Sequence, residues 1–282
     1  MPTISLDGHR WHYHTWGSPH NPLLLLLHGF TGSSASWAEL GQRWSTHHYV
    51  VAPDLPGHGQ TPASANPQAI SLAETARRLS LLLNHLSRDK AAVLGYSMGG
   101  RLALHMGIRN GKQISKLILE SASPGLSQPL ERQMRQQHDR DLAKAIESRG
   151  LEWFITYWAD LPLFESQPAW LRRSENSIRA SQSSFGLAQS LRGAGTGEQD
   201  SLWDALSMLH MPVFLITGAL DTKFSAIAQE MTRHSPRLTW MQVENTGHNV
   251  HGERPNQFFK LVSHFLTQSG DKAKEGNSRD GI

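Results

Sequence analysis

The chain has 282 residues, no cysteine, and 27 Lys plus Arg against 24 Asp plus Glu, a net charge of +3. The missing cysteine excludes disulfides, thiolate metal sites and cysteine nucleophiles together, and the length suits one large domain or a core carrying an inserted subdomain. The basic residues are scattered and form no stripe with interleaved aromatics, so nucleic acid is not an expected partner. Residues 3–6 and 10–16 then read as two strands around Asp7-Gly8, a hairpin signal. Residues 23–27 are all leucine, as in a central strand buried on both faces, and far too short to span a bilayer. They run into the turn His28-Gly29-Phe30-Thr31-Gly32, where backbone N–H groups can be left free at a strand end. A helix over 36–44, a strand over 49–52 and a loop over 54–59 follow. Leucines at 72, 79, 82, 83 and 86 predict an amphipathic helix over 71–86, with Ser71 as its cap and Glu74 three residues on.

Residues 90–94 read as a strand and 100–108 as a helix, with Gly95-Tyr96-Ser97-Met98-Gly99 between them. That segment fits the G-x-S-x-G elbow, which presents a serine hydroxyl on a sharp strand-to-helix turn. Asn110-Gly111 stops the helix, and 114–120 is the next strand. Alternating strands and helices argue for a mostly parallel sheet flanked by helices. From 124 to 206 the alternation breaks into helical segments, 131–149, 151–158 and 170–191. A strand returns at 213–217, then a helix over 224–234, a strand over 238–243 and a helix over 256–267. The expected organisation is an α/β core of residues 1–123 and 207–268, an inserted helical cap of 124–206, and a small, charged, disordered tail of 269–282.

A serine hydroxyl is a poor nucleophile and a poor base until a histidine takes its proton and an acid orients that histidine. Asp221 follows the strand 213–217 and His248 follows 238–243, which gives the chain order Ser97, Asp221, His248. Taken alone, Asp221 reads equally as the N-cap of 224–234 and His248 as a loop histidine; jointly they predict a catalytic triad. The amides of Phe30 and Met98 are the candidate oxyanion hole. The sixteen histidines prompt a search for metal ligands, but no pair with nearby acids has ligand spacing, so no metal is expected.

His28-Gly-Phe30, Asp54-Leu-Pro-Gly-His-Gly59, the elbow, Asp221 and Gly247-His248 together resemble the α/β-hydrolase superfamily over roughly residues 20–268. Gly95-Tyr-Ser-Met-Gly-Gly-Arg101, Glu120 with Pro124-Gly-Leu126, Glu131-Arg-x-x-Arg135, Trp158 with Pro162-x-Phe164, Asp221-Thr-Lys-Phe224 and Gly247-His-Asn-x-His251 are similar to one branch. That branch is the 2-succinyl-6-hydroxy-2,4-cyclohexadiene-1-carboxylate synthases of menaquinone and phylloquinone biosynthesis. The resemblance implies an α/β-hydrolase fold and a lyase needing no cofactor. Its triad acts as a base that eliminates pyruvate from 2-succinyl-5-enolpyruvyl-6-hydroxy-3-cyclohexene-1-carboxylate. It also implies that Arg101, Arg135 and Arg179 bind substrate carboxylates.

The residues themselves point to a polyanionic small molecule. The segment 124–206 holds eight arginines and one lysine against eleven acids, so bulk charge is not the attraction, and the arginine bias suits planar carboxylate recognition. Arg101 lies one helical turn after Ser97 and leans back toward it. The plainer alternatives pair Arg101 with Glu120, pair Arg135 with Asp139 at i+4, and leave Arg179 solvated; Arg132 competes with Arg135. Tyr96, Trp158 and Phe164 are pocket candidates that could equally be packing, and Lys223 is expected at the periphery. A serine esterase or carbon–carbon bond hydrolase, or a non-catalytic receptor of the same fold, are the rival functions. A cytoplasmic monomer without stable membrane insertion is the expected state.

Overall fold

Asp7 and Gly8 both take positive φ, 52° and 76°, the two-residue turn that sets Leu6 opposite His9. It joins strands β1 (Thr3–Leu6) and β2 (His9–Trp16). The leucine run forms β3 (Leu23–Leu27), buried along its whole length. Leu25 and Leu27 pack with Leu79 and Leu102 on one face of the sheet, and Leu24 and Leu26 with Trp37, Trp44 and Phe258 on the other. A strand covered on both faces has no solvated side on which to place polar residues, hence the unbroken apolar run. The remaining strands are β4 (Tyr49–Pro53), β5 (Ala91–Tyr96), β6 (Ile114–Glu120), β7 (Val213–Gly218) and β8 (Leu238–Val243). In this computed structural model, which describes residues 2–86 and 90–268, they form one sheet in the order β1-β2-β4-β3-β5-β6-β7-β8. Only β2 opposes the general direction; β3 through β8 pair in parallel.

The core helices are α1 (Ala38–Trp44), α2 (Leu72–Leu86) and α3 (Met98–Arg109) before the insertion. The Ser71 hydroxyl accepts from the Glu74 amide at 3.4 Å, so α2 carries its expected cap. Between β6 and β7 lie α4 (Pro129–Ala159), α5 (Ala169–Ala180) and α6 (Ser184–Ala194), with no strand among the described residues there. Gly150, at φ 85° and ψ 173°, breaks α4 between the two helices expected from the pattern. The single helix expected over 170–191 is instead two. The chain turns at Ser181-Gln182-Ser183, where Ser183 caps α6 and the Gln182 side chain accepts from the Gly59 amide at 2.9 Å and donates to the Gly32 carbonyl at 3.2 Å. Leu142, Ile146, Phe154, Leu187 and Leu191 give this helical layer an apolar core of its own. After β7 come α7 (Thr222–Thr232), α8 (Val250–Glu253) and α9 (Pro255–Thr267). No helix among the described residues is long and apolar enough to cross a membrane. The expected tail, 269–282, lies outside the described residues.

Several histidines sit inside this frame uncharged. Burial pushes His58 down to about 3, with His28 beside it adding to the effect. Burial likewise pushes His105 down to about 4, helped by Arg109 and Arg101. A histidine whose folded value lies below its unfolded value of about 6.5 carries no proton in either state above that pH, and it costs the fold stability as the pH falls below 6.5 toward the folded value, because the unfolded chain binds the proton first. Stability should therefore fall from pH 6.5 toward pH 4 by up to about 1.4 kcal/mol per pH unit for each such histidine. Neither His105 ring nitrogen has a partner among the described residues. His105→Leu is expected to stabilise the fold by about 1 kcal/mol at pH 7 and to make the acid slope shallower. Urea melts at pH 7 and pH 5 check both outcomes.

Candidate active site

β5 passes into α3 through one residue. Ser97 sits there at φ 51° and ψ −108°, a conformation that a side-chain-bearing residue holds only where its surroundings impose it. What imposes it is backbone packed on backbone. A Cβ on Gly95 would collide with the Gly99 carbonyl, and one on Gly99 would collide with the carbonyls of Leu27 and His28. The Ser97 amide donates to the Glu120 carbonyl at the end of β6 (2.9 Å), which pins the turn from the other side. Met98 is the first residue of α3, so its amide has no carbonyl four residues back within the helix.

The loops after β7 and β8 are lashed to one another and to β6. Leu220 N donates to the Thr246 carbonyl (2.9 Å), and the Ser121 hydroxyl donates to the His248 carbonyl (2.8 Å). Glu253 reaches back to accept from the Gly247 amide (3.1 Å). The result places His248 Nε2 3.0 Å from Ser97 Oγ and His248 Nδ1 2.6 Å from Asp221 Oδ2. His248 is 1% exposed, with the rings of Phe224, Tyr96 and Phe164 around it. Asp221 does both jobs the sequence allowed it. Its Oδ2 faces the imidazole while its Oδ1 accepts from the Phe224 amide (3.3 Å) as the N-cap of α7. An imidazole oriented this way can take a proton from the serine hydroxyl while the carboxylate holds the tautomer that leaves Nε2 free to accept.

Ser97 and His248 open onto a cavity of about 180 Å³ between core and cap, lined also by Phe30, Met98, Arg101, Arg135, Trp158 and Lys223. Arg101 is buried and is not paired with Glu120; that carboxylate is taken by His251, through Nδ1 (2.8 Å) and its amide (2.9 Å). Arg101 instead donates to the Ala194 carbonyl (3.0 Å) and the Gln199 amide oxygen (3.3 Å). Burial, with the charge of Arg135 nearby, pushes its guanidinium down to about 10, so it stays cationic at neutral pH with no carboxylate bonded to it among the described residues. Arg135 does pair with Asp139, through Nε at 2.7 Å, yet also lines the cavity. The i+4 pair and the pocket position coexist. Arg132 faces Asp200 at 3.7 Å and is not among the lining residues.

The expectations for four residues shift. Arg179 is neither solvated nor part of the cavity lining; it is buried and donates to Thr31 Oγ1 (3.3 Å) and Asn176 Oδ1 (2.7 Å), with Glu175 close by at 3.5 Å. Its hydrogen bonds are spent on holding the turn that carries Phe30 to α5. Phe164 and Tyr96 also lie off the cavity lining. Phe164 backs Trp158 and His248, and Tyr96, its hydroxyl pushed well above its usual value by burial, packs against His248 and His251. Lys223, expected at the periphery, lines the cavity as well as the groove beside it. Its place two residues after Asp221, in the first turn of α7, was the available signal. Nothing in the pattern pointed to Ser121 or Gln199, whose roles are set by contacts across long stretches of chain, or to Glu253, which closes a local loop on Gly247.

The two jobs of Asp221 separate by substitution. Asp221→Asn keeps an oxygen for the cap, whereas Asp221→Ala loses it and should be less stable than the asparagine variant by about 1 kcal/mol. Thermal melts of the pair measure this, and equal melting temperatures would remove the cap from the account.

A family model for the α/β-hydrolase fold matches residues 22–255. The 2-succinyl-6-hydroxy-2,4-cyclohexadiene-1-carboxylate synthase of Salmonella typhimurium (strain LT2) is 31% identical over 244 residues, 86% of this chain and 92% of that protein. A Bacillus subtilis (strain 168) protein that carries the same synthase name provisionally is 39% identical over 273 residues, 95% of this chain and 99% of its own. The solved structure of MenH from S. aureus superimposes with a TM-score of 0.86 at 32% identity, covering 92% of this chain and 97% of that one. With the serine, histidine and acid meeting at the sheet's carboxyl edge under a helical cap, the chain belongs to the α/β-hydrolase fold family and, within it, to the 2-succinyl-6-hydroxy-2,4-cyclohexadiene-1-carboxylate synthases.

Proposed function

We propose that this chain eliminates pyruvate from 2-succinyl-5-enolpyruvyl-6-hydroxy-3-cyclohexene-1-carboxylate, a step of menaquinone or phylloquinone biosynthesis carried out in the cytoplasm. The observation that carries the reading is the buried, cationic Arg101 with no carboxylate bonded to it among the described residues, facing the cavity that Ser97 and His248 also face. A buried cation is costly unless an anion joins it, and the substrate brings three carboxylates: on the ring, the succinyl chain and the enolpyruvyl group. Arg101, Arg135 and Lys223 are the cations lining the cavity, and Arg101 and Arg135 offer the flat donor edge that carboxylates fit.

The chemistry follows from the bonds that change. The ring proton at C2 lies between the succinyl ketone and the 3,4 double bond, so its loss is doubly assisted. Ser97 Oγ takes that proton as His248 Nε2 takes the hydroxyl proton. The C2 electron pair forms the 2,3 double bond, the 3,4 pair moves to 4,5, and the C5–O bond breaks. The departing enolpyruvate recovers a proton from His248 and tautomerises to pyruvate. Negative charge gathering on the succinyl ketone oxygen faces the amides of Phe30 and Met98, where each donor is worth on the order of a hundredfold to a thousandfold in rate. Asp221 orients His248 and stabilises its charged form. Trp158, whose ring nitrogen has no partner among the described residues, forms part of the wall.

Pyruvate release from the enolpyruvyl substrate, followed with the absorbance of the diene, tests the reading directly. Ser97→Ala should abolish measurable elimination, and Asp221→Asn should reduce kcat by about ten-thousandfold. Elimination at the wild-type rate by Ser97→Ala would refute the base mechanism, and turnover of simple esters through a trapped acyl-serine would favour a hydrolase instead. Arg101→Ala should cost about 2–4 kcal/mol of transition-state stabilisation. Loss of the more exposed cation in Lys223→Ala should cost about 1 kcal/mol. A loss below tenfold in kcat/KM for Arg101→Ala would remove the carboxylate argument.

A further inference from the structure

The segment after α6 returns to the core past Arg101, and its side chains are sorted by charge. Glu198 turns outward to Arg140 (3.3 Å) and to Gln136 (3.5 Å). Asp200 turns outward to Arg132 (3.7 Å) and is 77% exposed. Between them Gln199 turns inward and is 2% exposed. Its amide oxygen accepts from Arg101 Nη1 and its amide nitrogen donates to the Ser123 carbonyl (3.3 Å). The other acids near Arg101 are committed elsewhere. Glu120 holds His251, and Asp139 accepts from Arg135 Nε and from the Gly197 amide (3.4 Å).

We propose that Gln199 is a specificity-determining residue: as a neutral amide at the one inward position, it fixes the Arg101 guanidinium without cancelling its charge, so that the cavity requires a carboxylate from its ligand. An acid of the same shape at this position would satisfy Arg101 from within the protein, as the flanking acids satisfy Arg140 and Arg132, and leave the ligand's carboxylate facing a neutral pair. The amide is also matched to its second contact. A carboxylate has no proton to donate to the Ser123 carbonyl, whereas the amide nitrogen does. The role deepens the proposed function, since Arg101 is there assigned to a substrate carboxylate, but it is read from binding and not from turnover.

Isothermal titration of the wild type, Gln199→Glu and Gln199→Met with succinate and with succinamide, its neutral diamide, tests the assignment. The wild type should bind succinate at least roughly tenfold more tightly than succinamide, the difference between a charge-assisted and a neutral hydrogen-bonded contact. Gln199→Met, neutral and similar in size, should keep that ratio within about threefold, whereas Gln199→Glu should bring it close to one. A preference that survives Gln199→Glu overturns the proposal, and so does one lost equally in Gln199→Met, which would make the residue a packing element. Should Gln199→Glu show no cooperative melt, Thr196→Glu supplies an acid from the cavity wall; an unchanged ratio there also overturns it. A wild type without preference for succinate overturns it outright. A wild type that prefers succinate but releases no pyruvate from the enolpyruvyl substrate would refute the synthase reading and leave the role of Gln199 standing.

Discussion

The contact of α3 with the ends of β3 and β5 is the constraint on which the rest depends. Helix and strand backbones touch there with no side chain between them, at Gly95 and Gly99. That closeness holds Ser97 at positive φ and aims its hydroxyl away from the sheet. It also brings the start of α3 beside Phe30 at the end of β3, so that one arrangement sets both the hydroxyl and the two residues, Phe30 and Met98, that line the cavity next to it. A methyl group at either glycine would push the helix outward and disturb all of them at once. The loops that deliver Asp221 and His248 are built to meet this fixed point, through bonds from Ser121, Leu220 and Glu253.

The chemistry of the cavity comes from a second constraint, that of charge. Most arginines of the cap are satisfied by acids of the cap itself: Arg140 by Glu198, Arg192 by Glu147, Arg135 by Asp139. Among the described residues, Arg101 is served only by an amide and a carbonyl. Because it is largely buried, bulk solvent makes up that deficit only weakly. The proposed selectivity for an anion rests on one missing partner, not on overall charge, in a chain whose net charge is only +3.

Much of this was legible in the sequence where the signal is local. The leucine run of β3, the Asp7-Gly8 turn, the Ser71 cap and the elbow are each fixed by neighbours within a few residues. The order Ser97, Asp221, His248 was readable because each residue follows an identifiable strand. Contacts between distant segments were not readable. The single helix expected over 170–191 breaks because Gln182 is drawn to Gly59 and Gly32, partners more than a hundred residues away. Arg179, expected on a substrate carboxylate or else in solvent, is buried on Thr31 and Asn176. The plainer alternative for Arg101, a pair with Glu120, fails because His251 holds that acid. In each case the local pattern was sound and a longer-range hydrogen bond decided the outcome.

The break at Gly150 bears on how such a site can change over generations. It divides α4 into a half that carries Arg135 and a half that carries Trp158, two parts of the cavity wall. In an unbroken helix, any substitution that rotated one half would swing the other by the same angle. With the glycine between them, the charged contact and the aromatic wall can drift separately. Natural variation could retune the shape of the pocket on one side while Arg135 on the other stays in register.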